Sequence, residues 1–542
     1  MMEKVNKHSR LIVALVLLIM TVVGLLVASD YGMSWDETLE MQTLGSDVRE
    51  YIGLVSGTKS EPKQFANGLA IQDVKVNPDV DHGQSIYYPA APLLFAHLGT
   101  DADRTVMVVW HIYTFLIFMA GVICLYFILK FLTGDWKYGL AASLFLYLSP
   151  RFFAEGHYNT KDVITMSLII VCFWFATRFI EKKTYRYAAL FAAVGAIAAN
   201  MRIIGIFFFG LTGLLYLVCL FVQKQWSRKT VLSGVIALLT FAAVYYVLTP
   251  AAWTAPVKFL QYTFGRSSNF SDWPGTVFFM GKIYRPVPSY YIPVMYAITT
   301  PVLIVALTVV GHFTAVGKIC TTKVKEIFAG TAKYYILALV FVWIPLGFAI
   351  IKTPILYNSW RHFYFINGLL IILAVGGLKS IMDHANLPWK RILAGLVALQ
   401  LCWSVVLIAA NHPDEFVYYN FLAGTHPAQR FEMDYWNVSG AQCLMELVDK
   451  VDSPDVIRIA AVDFYSSDGL QKAYDVLPSA YKDRIHVMKF FAGIPATNED
   501  YLFVNPITSY SLPDLASMYP KAVSVNAFGS DIMVVYQVKQ TA

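Results

Sequence analysis

Long apolar runs recur along this chain and constrain it more than any other feature. They lie at about 11–29, 105–132, 138–150, 163–180, 187–200, 203–222, 230–248, 292–314, 334–351, 362–378 and 391–410. A helix needs roughly 20 apolar residues to cross a bilayer, because each residue rises only about 1.5 Å. The spacing therefore predicts a polytopic α-helical membrane protein with about eleven spans. The runs at 138–150 and 187–200 are short for a full crossing. They must tilt, or pack inside the bundle, or stop early where polar residues reach in. Charged residues make up 14% of the 542, against about 25% in soluble domains. The net charge of +6 is no footprint for nucleic acid, because the basic residues sit at the ends of apolar runs.

Those basic residues orient the chain. Lys4, Lys7 and Arg10 precede the first run. Lys130 and Lys137, then Arg178, Lys182, Lys183 and Arg186, then Lys224, Arg228 and Lys229 occupy alternate connections. Further clusters lie around Lys318–Lys333 and Lys379–Arg391. Short loops rich in Lys and Arg remain in the cytoplasm. The N-terminus is therefore expected inside, and an odd number of spans puts the C-terminus outside. The first run resembles a secretory signal only in its basic lead-in. Its length, and the acidic stretch after it, fit a retained anchor.

The segment 1–410 reads as a transmembrane domain and 411–542 as an external α/β domain. Strand patterns at Val456–Val462, Arg484–Phe490 and Tyr501–Val504 alternate with helical stretches at Leu470–Val476 and near Leu512–Met518. A hairpin pattern runs from Ala522 to Val538. Such alternation suits a small layered domain. No glycine-rich fingerprint follows a strand. Of six cysteines, four fall in apolar runs, Cys320 in a basic loop and Cys443 in the last domain. None has metal-ligand spacing.

The ionisable residues outside the inner loops gather at one surface. Asp36 and Glu37 follow the first run, inside Ser34-Trp35-Asp36-Glu37. Arg151, Glu155, His157, Lys161 and Asp162 follow the third, Arg202 the fifth, and Arg361 and His362 open the tenth. The helix-compatible stretch Thr38–Val55 is expected to lie along the membrane surface. The middles of the runs are almost free of charge, whereas coupled transporters place ionisable groups there. Carboxylates that take a proton, beside cations that hold a phosphate, suit sugar transfer from a lipid-linked phosphosugar.

Several motifs carry a resemblance. Trp35-Asp36-Glu37 after the first span resembles the acidic motif of the GT-C superfamily of membrane glycosyltransferases. Ser149-Pro150-Arg151-Phe152-Phe153-x-Glu155-Gly156-x-x-Asn159-x-Lys161-Asp162 is similar to the second outer-loop motif of bacterial family 39-type members. Arg361-His362-Phe363-Tyr364-Phe365 matches further on, as do Glu415–Asn420 and Phe431–Trp436. Relatives of that kind include protein O-mannosyltransferases and lipid A aminoarabinose transferases. The resemblance implies an inverting glycosyltransferase with a polyprenyl-phosphate sugar donor and a lipid, glycan or protein acceptor. It places the reaction at the outer face of a bacterial inner membrane. By position it makes Asp36 the general base, with Glu37 ordering it or binding acceptor. Arg151, Lys161, Arg202 and Arg361 fall to the donor side, and Glu155 and Asp162 line the sugar or acceptor. Thr38-Leu39-Glu40-Met41 lacks the histidine of many protein mannosyltransferases, which counts against a protein acceptor.

No cofactor is expected. A metal held by Asp36, Glu155, His157 and Asp162 would be magnesium or manganese by its oxygen ligands, but the resemblance implies a reaction without one. Two other readings fit parts of the pattern. A flippase of polyprenyl-linked sugars needs polar groups along a path through the bilayer. An oligosaccharide ligase needs a wider cavity and more cations.

Overall fold

A computed structural model describes residues 7–58, 61–64, 70–77, 79–97, 103–269, 274–451, 455–488, 500–507 and 514–538. Among these residues, nine helices are long and apolar enough to span a bilayer. They are α1 (Lys7–Val27), α4 (Asp103–Thr133), α7 (Asp162–Lys182), α9 (Ile204–Val222), α10 (Arg228–Leu248), α13 (Val302–Thr321), α15 (Ala332–Lys352), α16 (Asn367–His384, entered through a 3₁₀ turn at Arg361–Ile366) and α17 (Leu387–Asn411). The protein is an integral membrane protein.

The sequence pattern predicts about eleven spans, and the two extra are α5 (Trp136–Tyr147) and α8 (Tyr185–Met201). At 12 and 17 residues they fall short of a full crossing. Both nevertheless carry the chain from one end of the bundle to the other. Arg202, after α8, pairs with Asp162, at the start of α7. Glu37, just past α1, pairs with His111 in the first third of α4. The ends of α1, α8 and α10 and the starts of α4, α7, α9 and α16 thus share one end of the bundle. Among the described residues the chain alternates through eleven passes, the nine long helices with α5 and α8. The short α5 is completed by α6 (Pro150–Tyr158), whose nine residues are all buried. Pro150 begins α6 because its missing N–H is not needed in a first turn.

The tightest helix pair is α13 with α16. A Cβ on Gly311 would lie 1.9 Å from the Leu373 carbonyl oxygen. Only glycine lets these backbones approach so closely, as small residues do between membrane helices. The apolar run at 292–314 is broken at Pro301, which separates α12 (Tyr291–Thr299) from α13.

The first loop does not simply skim the membrane. Its helix α2 (Trp35–Ser56) buries Glu37, Glu40, Met41, Leu44 and Asp47. Its start is fixed by the Ser34 N–H donating to Glu37, the reciprocal half of a capping box. It ends at Gly57, whose φ of 73° is left-handed. A two-residue strand pair, β1 (Lys63–Gln64) with β2 (Ala70–Ile71), two 3₁₀ turns (Val74–Val76 and Ser85–Ala90) and a short α3 (Ala91–His97) follow in the described parts of this loop. A later loop holds α11 (Pro256–Asn269) and the hairpin of β3 (Val277–Phe279) with β4 (Lys282–Tyr284). A short α14 (Val324–Ala329) links α13 to α15.

Beyond α17 the chain first runs as a strap over the bundle. The Tyr31 hydroxyl donates to Glu415 at 2.5 Å, and the Asn420 N–H donates to the Ile298 carbonyl at 2.8 Å. The last part is a mixed sheet, in the order β6–β5–β7–β9–β8, covered by α18 (Gly440–Lys450) and α19 (Phe464–Asp475). Its strands are β5 (Ile457–Ala461), β6 (Ile485–Val487), β7 (Tyr501–Val504), β8 (Lys521–Ala527) and β9 (Ser530–Gln537). These match the expected strands and hairpin. Residues 489–490 and 512–513 of the expected elements lie outside the described residues. The helix α18 was not expected.

Candidate active site

The end of the bundle where α1, α7, α8 and α16 meet holds a dense charge cluster. Asp162 leads α7, with its N–H donating to Asn159 at 2.8 Å. Gly205, the second residue of α9, packs against the end of α8, where a Cβ would come within 2.3 Å of the Ala199 nitrogen. That corner delivers Arg202 to Asp162 at 2.5 Å. Arg361 bridges two carboxylates, Asp36 at 3.0 Å and Asp162 at 3.3 Å. Its guanidinium is packed among the rings of Tyr357, Trp436 and Tyr435 at 4.8, 4.8 and 5.3 Å. Lys161 stands 4.0 Å from Asp36, 3.5 Å from Glu40 and 2.7 Å from Asp79.

Asp79, Asp81 and His82 were not singled out in the sequence, and neither was Arg266. All four belong to this cluster. Asn200, at the end of α8, ties the loop down: its side-chain oxygen accepts from the Ser85 N–H, and its carbonyl accepts from the Gly83 N–H. Arg266 on α11 pairs with Asp81 and lies 3.7 Å from Asp79. A polar pocket of about 260 Å³ opens among Asp36, Asp79, His82, Lys161, Arg202 and Arg361. Beside it an apolar groove of about 370 Å³ runs along Ile204, Phe207, Ile344 and Phe348. Arg202, His82 and His362 line both, so the groove opens into the pocket at a cation and two imidazoles.

The electrostatics follow from burial and pairing. Burial pushes the Asp36 carboxyl up, but Lys161 and Arg361 outweigh it and hold the group below its ordinary value. Asp79 is likewise raised by burial and lowered more by Lys161, to about 2. Glu40 is pushed well above the carboxylate range by burial, which Lys161 only partly offsets. Burial lowers Lys161, and Asp79, Asp36 and Glu40 more than restore it. Asp36 is thus ionised and faces the pocket, with its side chain 22% exposed.

The structure separates the other candidates from this pocket. Glu37 is fully buried and holds the start of α2, pairing with His111 at 2.9 Å. It orders the turn that carries Asp36. Arg151 and Glu155 face each other on α6 at 3.5 Å and do not line the pocket. Glu155 also accepts from Tyr364 at 3.0 Å and from Asn159 at 2.7 Å. His157 is hydrogen-bonded to the carbonyls of Gly24 and Phe153, both at 3.0 Å. Asp36, Glu155, His157 and Asp162 therefore do not converge on one metal position. Among the described residues, Asp79, Asp81 and His82 bring ligand atoms within 4.8 Å of one another. Lys161 and Arg266 already compete for those carboxylate oxygens.

Residues 89–247 match the model of a family described as dolichyl-phosphate-mannose-protein mannosyltransferase. The match lies among the membrane glycosyltransferases that the motifs resemble, and it includes Arg151, Lys161, Asp162 and Arg202. Two solved structures align over 97% of this chain and 97% of their own. One is ArnT from Cupriavidus metallidurans bound to undecaprenyl phosphate, 12% identical with a TM-score of 0.45. The other is the same protein in the apo state, 12% identical with a TM-score of 0.46. Comparison with curated proteins gives no match.

Proposed function

We propose that the protein is an inverting glycosyltransferase that moves a monosaccharide from a polyprenyl-phosphate carrier to an acceptor hydroxyl at the membrane surface. One observation carries the reading: an apolar groove between spans opens at Arg202 into a polar pocket that contains an ionised aspartate. A polyprenyl tail suits the groove. The phosphate then meets Arg202, with Lys161 and Arg266 across the pocket. The sugar extends toward Asp36. The family match over residues 89–247, whose description names a lipid-phosphate sugar, points to the same donor class.

In the reaction the acceptor oxygen attacks the anomeric carbon from the side opposite the phosphate. The new C–O bond forms as the old one to the phosphate oxygen breaks, and the configuration inverts. The bonding pair leaves with the lipid phosphate, whose negative charge the cations stabilise. The acceptor proton passes to Asp36. Pairing with Lys161 and Arg361 makes Asp36 a weak base in the free protein. The donor phosphate draws on the same cations, and each one it engages leaves the carboxylate more basic. The face concerned is the external one by the basic-loop rule, in a bacterial inner membrane, with the N-terminus cytoplasmic.

The test is transfer by purified protein in liposomes from polyprenyl-phosphate sugars, with envelope glycolipids from cells with and without the gene as acceptors. Transfer by the wild type that Asp36→Asn abolishes supports the reading. Equal transfer by both proteins, or no binding of polyprenyl phosphate by either, overturns it.

A further inference from the structure

A second groove, of about 520 Å³, lies between α9 and α10 and is lined by Phe191, Phe209, Leu214, Leu217, Val235 and Leu238. It shares no residue with the groove at Arg202 and occupies the other half of the bundle. Along α9 it extends from Phe209 to Leu220. Eleven steps along the helix rise about 16 Å, roughly half of a hydrocarbon core about 30 Å thick. The groove is therefore one leaflet deep. Leu214, Leu217 and Leu238 are half exposed along it, so it opens to the bilayer.

The end of the groove farther from the candidate active site is chemically different. Trp226, 53% exposed, sits at the mouth, as indoles do at headgroup depth. Arg228 and Lys229 form the first turn of α10, directly before the groove residues Thr230 and Val231. The Ser233 hydroxyl donates to the Lys183 carbonyl at 3.1 Å, which brings the Lys182–Lys183 turn against α10. Among the described residues no ion pair engages Arg228, Lys229, Lys182 or Lys183. The nearby Glu181 is taken by Lys333 at 2.8 Å. An apolar channel one leaflet long, an interfacial indole and a group of cations match the three parts of one molecule.

We propose that this groove is a binding site for an anionic glycerophospholipid of the leaflet opposite the candidate active site. One acyl chain would lie between α9 and α10, and the headgroup phosphate would lie against Arg228 and Lys229. The start of α10 also offers its N-terminal dipole to an anion. The inference is independent of the proposed sugar transfer.

The experiment is native mass spectrometry of the full-length protein in detergent, titrated with phosphatidylglycerol or with phosphatidylcholine of the same chains. Two surface cations correspond to about a thirtyfold preference for the anionic lipid. The double variant Arg228→Gln/Lys229→Gln should remove that preference and leave phosphatidylcholine binding unchanged. Both side chains are exposed, so the fold is not at stake. Gly213→Phe should weaken both lipids, since a side chain there enters open space in the groove. Equal binding of the two lipids by the wild type, or a preference that survives the double change, would overturn the proposal.

Discussion

Asp36 and Arg202 carry different parts of the proposed reaction, and their variants should fail differently. Asp36→Asn keeps size and can still accept from Arg361, but it is no base. General-base assistance is typically worth about 10²–10⁴ in rate. We expect transfer to fall by that factor with donor binding intact, measured by a transfer assay and a separate binding assay. Asp36 is held below its ordinary value, so it stays ionised until the pH falls below the usual carboxylate range, about 4. The acid limb of kcat/KM should lie below that pH. Lys161→Met removes one of the two lowering cations, so the limb should move up in pH whatever its height. An unmoved limb would separate Asp36 from the titrating group. Arg202→Ala should weaken donor binding roughly ten- to a hundredfold, the worth of a charge-assisted hydrogen bond, with partial rescue by Lys. Arg151→Ala should act otherwise. It leaves Glu155 buried without its cation, and breaking such a pair typically costs about 3–5 kcal/mol. A large drop in thermal stability is expected, with donor affinity unchanged in the protein that remains folded. The sequence showed Arg151 and Arg202 alike, as cations just past an apolar run. Which way each points depends on the neighbouring helix: α6 turns Arg151 inward onto Glu155, and the corner at Gly205 turns Arg202 to Asp162.

Elements were legible where a period or a length marked them. The apolar runs located the long helices because burial in lipid demands an unbroken stretch. They overstated 292–314, where Pro301 divides the run. The loop carrying Asp79, Asp81 and His82 had no such mark, and its place in the site depends on Asn200, 115 residues beyond Ser85. The strap after α17 is the element with the most unusual acids. Burial raises Asp414 to about 8, Glu432 to about 7 and Asp434 to about 6. A carboxyl whose folded value exceeds its unfolded one favours the folded state while it remains protonated there. Between the unfolded value near 4 and the folded values, the unfolded chain ionises first, so stability falls as pH rises. The strap should therefore be held less tightly at pH 8 than at pH 5. Asp414→Asn can still accept from the Ser439 hydroxyl, which lies 2.6 Å from Asp414, and removes the charge. Its melting temperature should exceed that of the wild type at pH 8 and match it near pH 4. A stabilisation independent of pH would sink this account.

At the scale of the molecule, the placement of charge and the path of the chain say the same thing. Asp36, the adjacent Lys161 and Asp162, Arg202 and Arg361 come from four separate stretches, and each adjoins the end of a helix at one face of the bundle. They meet there because eleven passes return the chain to that face after α1, α5, α8, α10, α15 and α17. The opposite face collects Lys182, Lys183, Lys224, Arg228 and Lys229. Cationic loops are retained in the cytoplasm, so that face is expected inside and the site face outside. The short helices α5 and α8 decide the matter. If either failed to cross, every later loop would change sides and Lys229 would lie with Asp36. For α8 the ion pair of Arg202 with Asp162 forbids this, because α7 starts where α8 ends; for α5 the bridge of Arg361 between Asp36 and Asp162 forbids it, because α7 starts at the face that α1 reaches. Topology reporters fused after Lys229 and after Ala542 should therefore report opposite sides, cytoplasmic and external. A cysteine introduced at Lys75, in the described part of the first loop, should react with an impermeant thiol reagent from outside in intact cells. Lys229 and Ala542 on the same side would break the alternation. Opposite sides with Lys75 protected from the outside reagent would keep the fold and invert the orientation, moving the proposed chemistry to the cytoplasmic face.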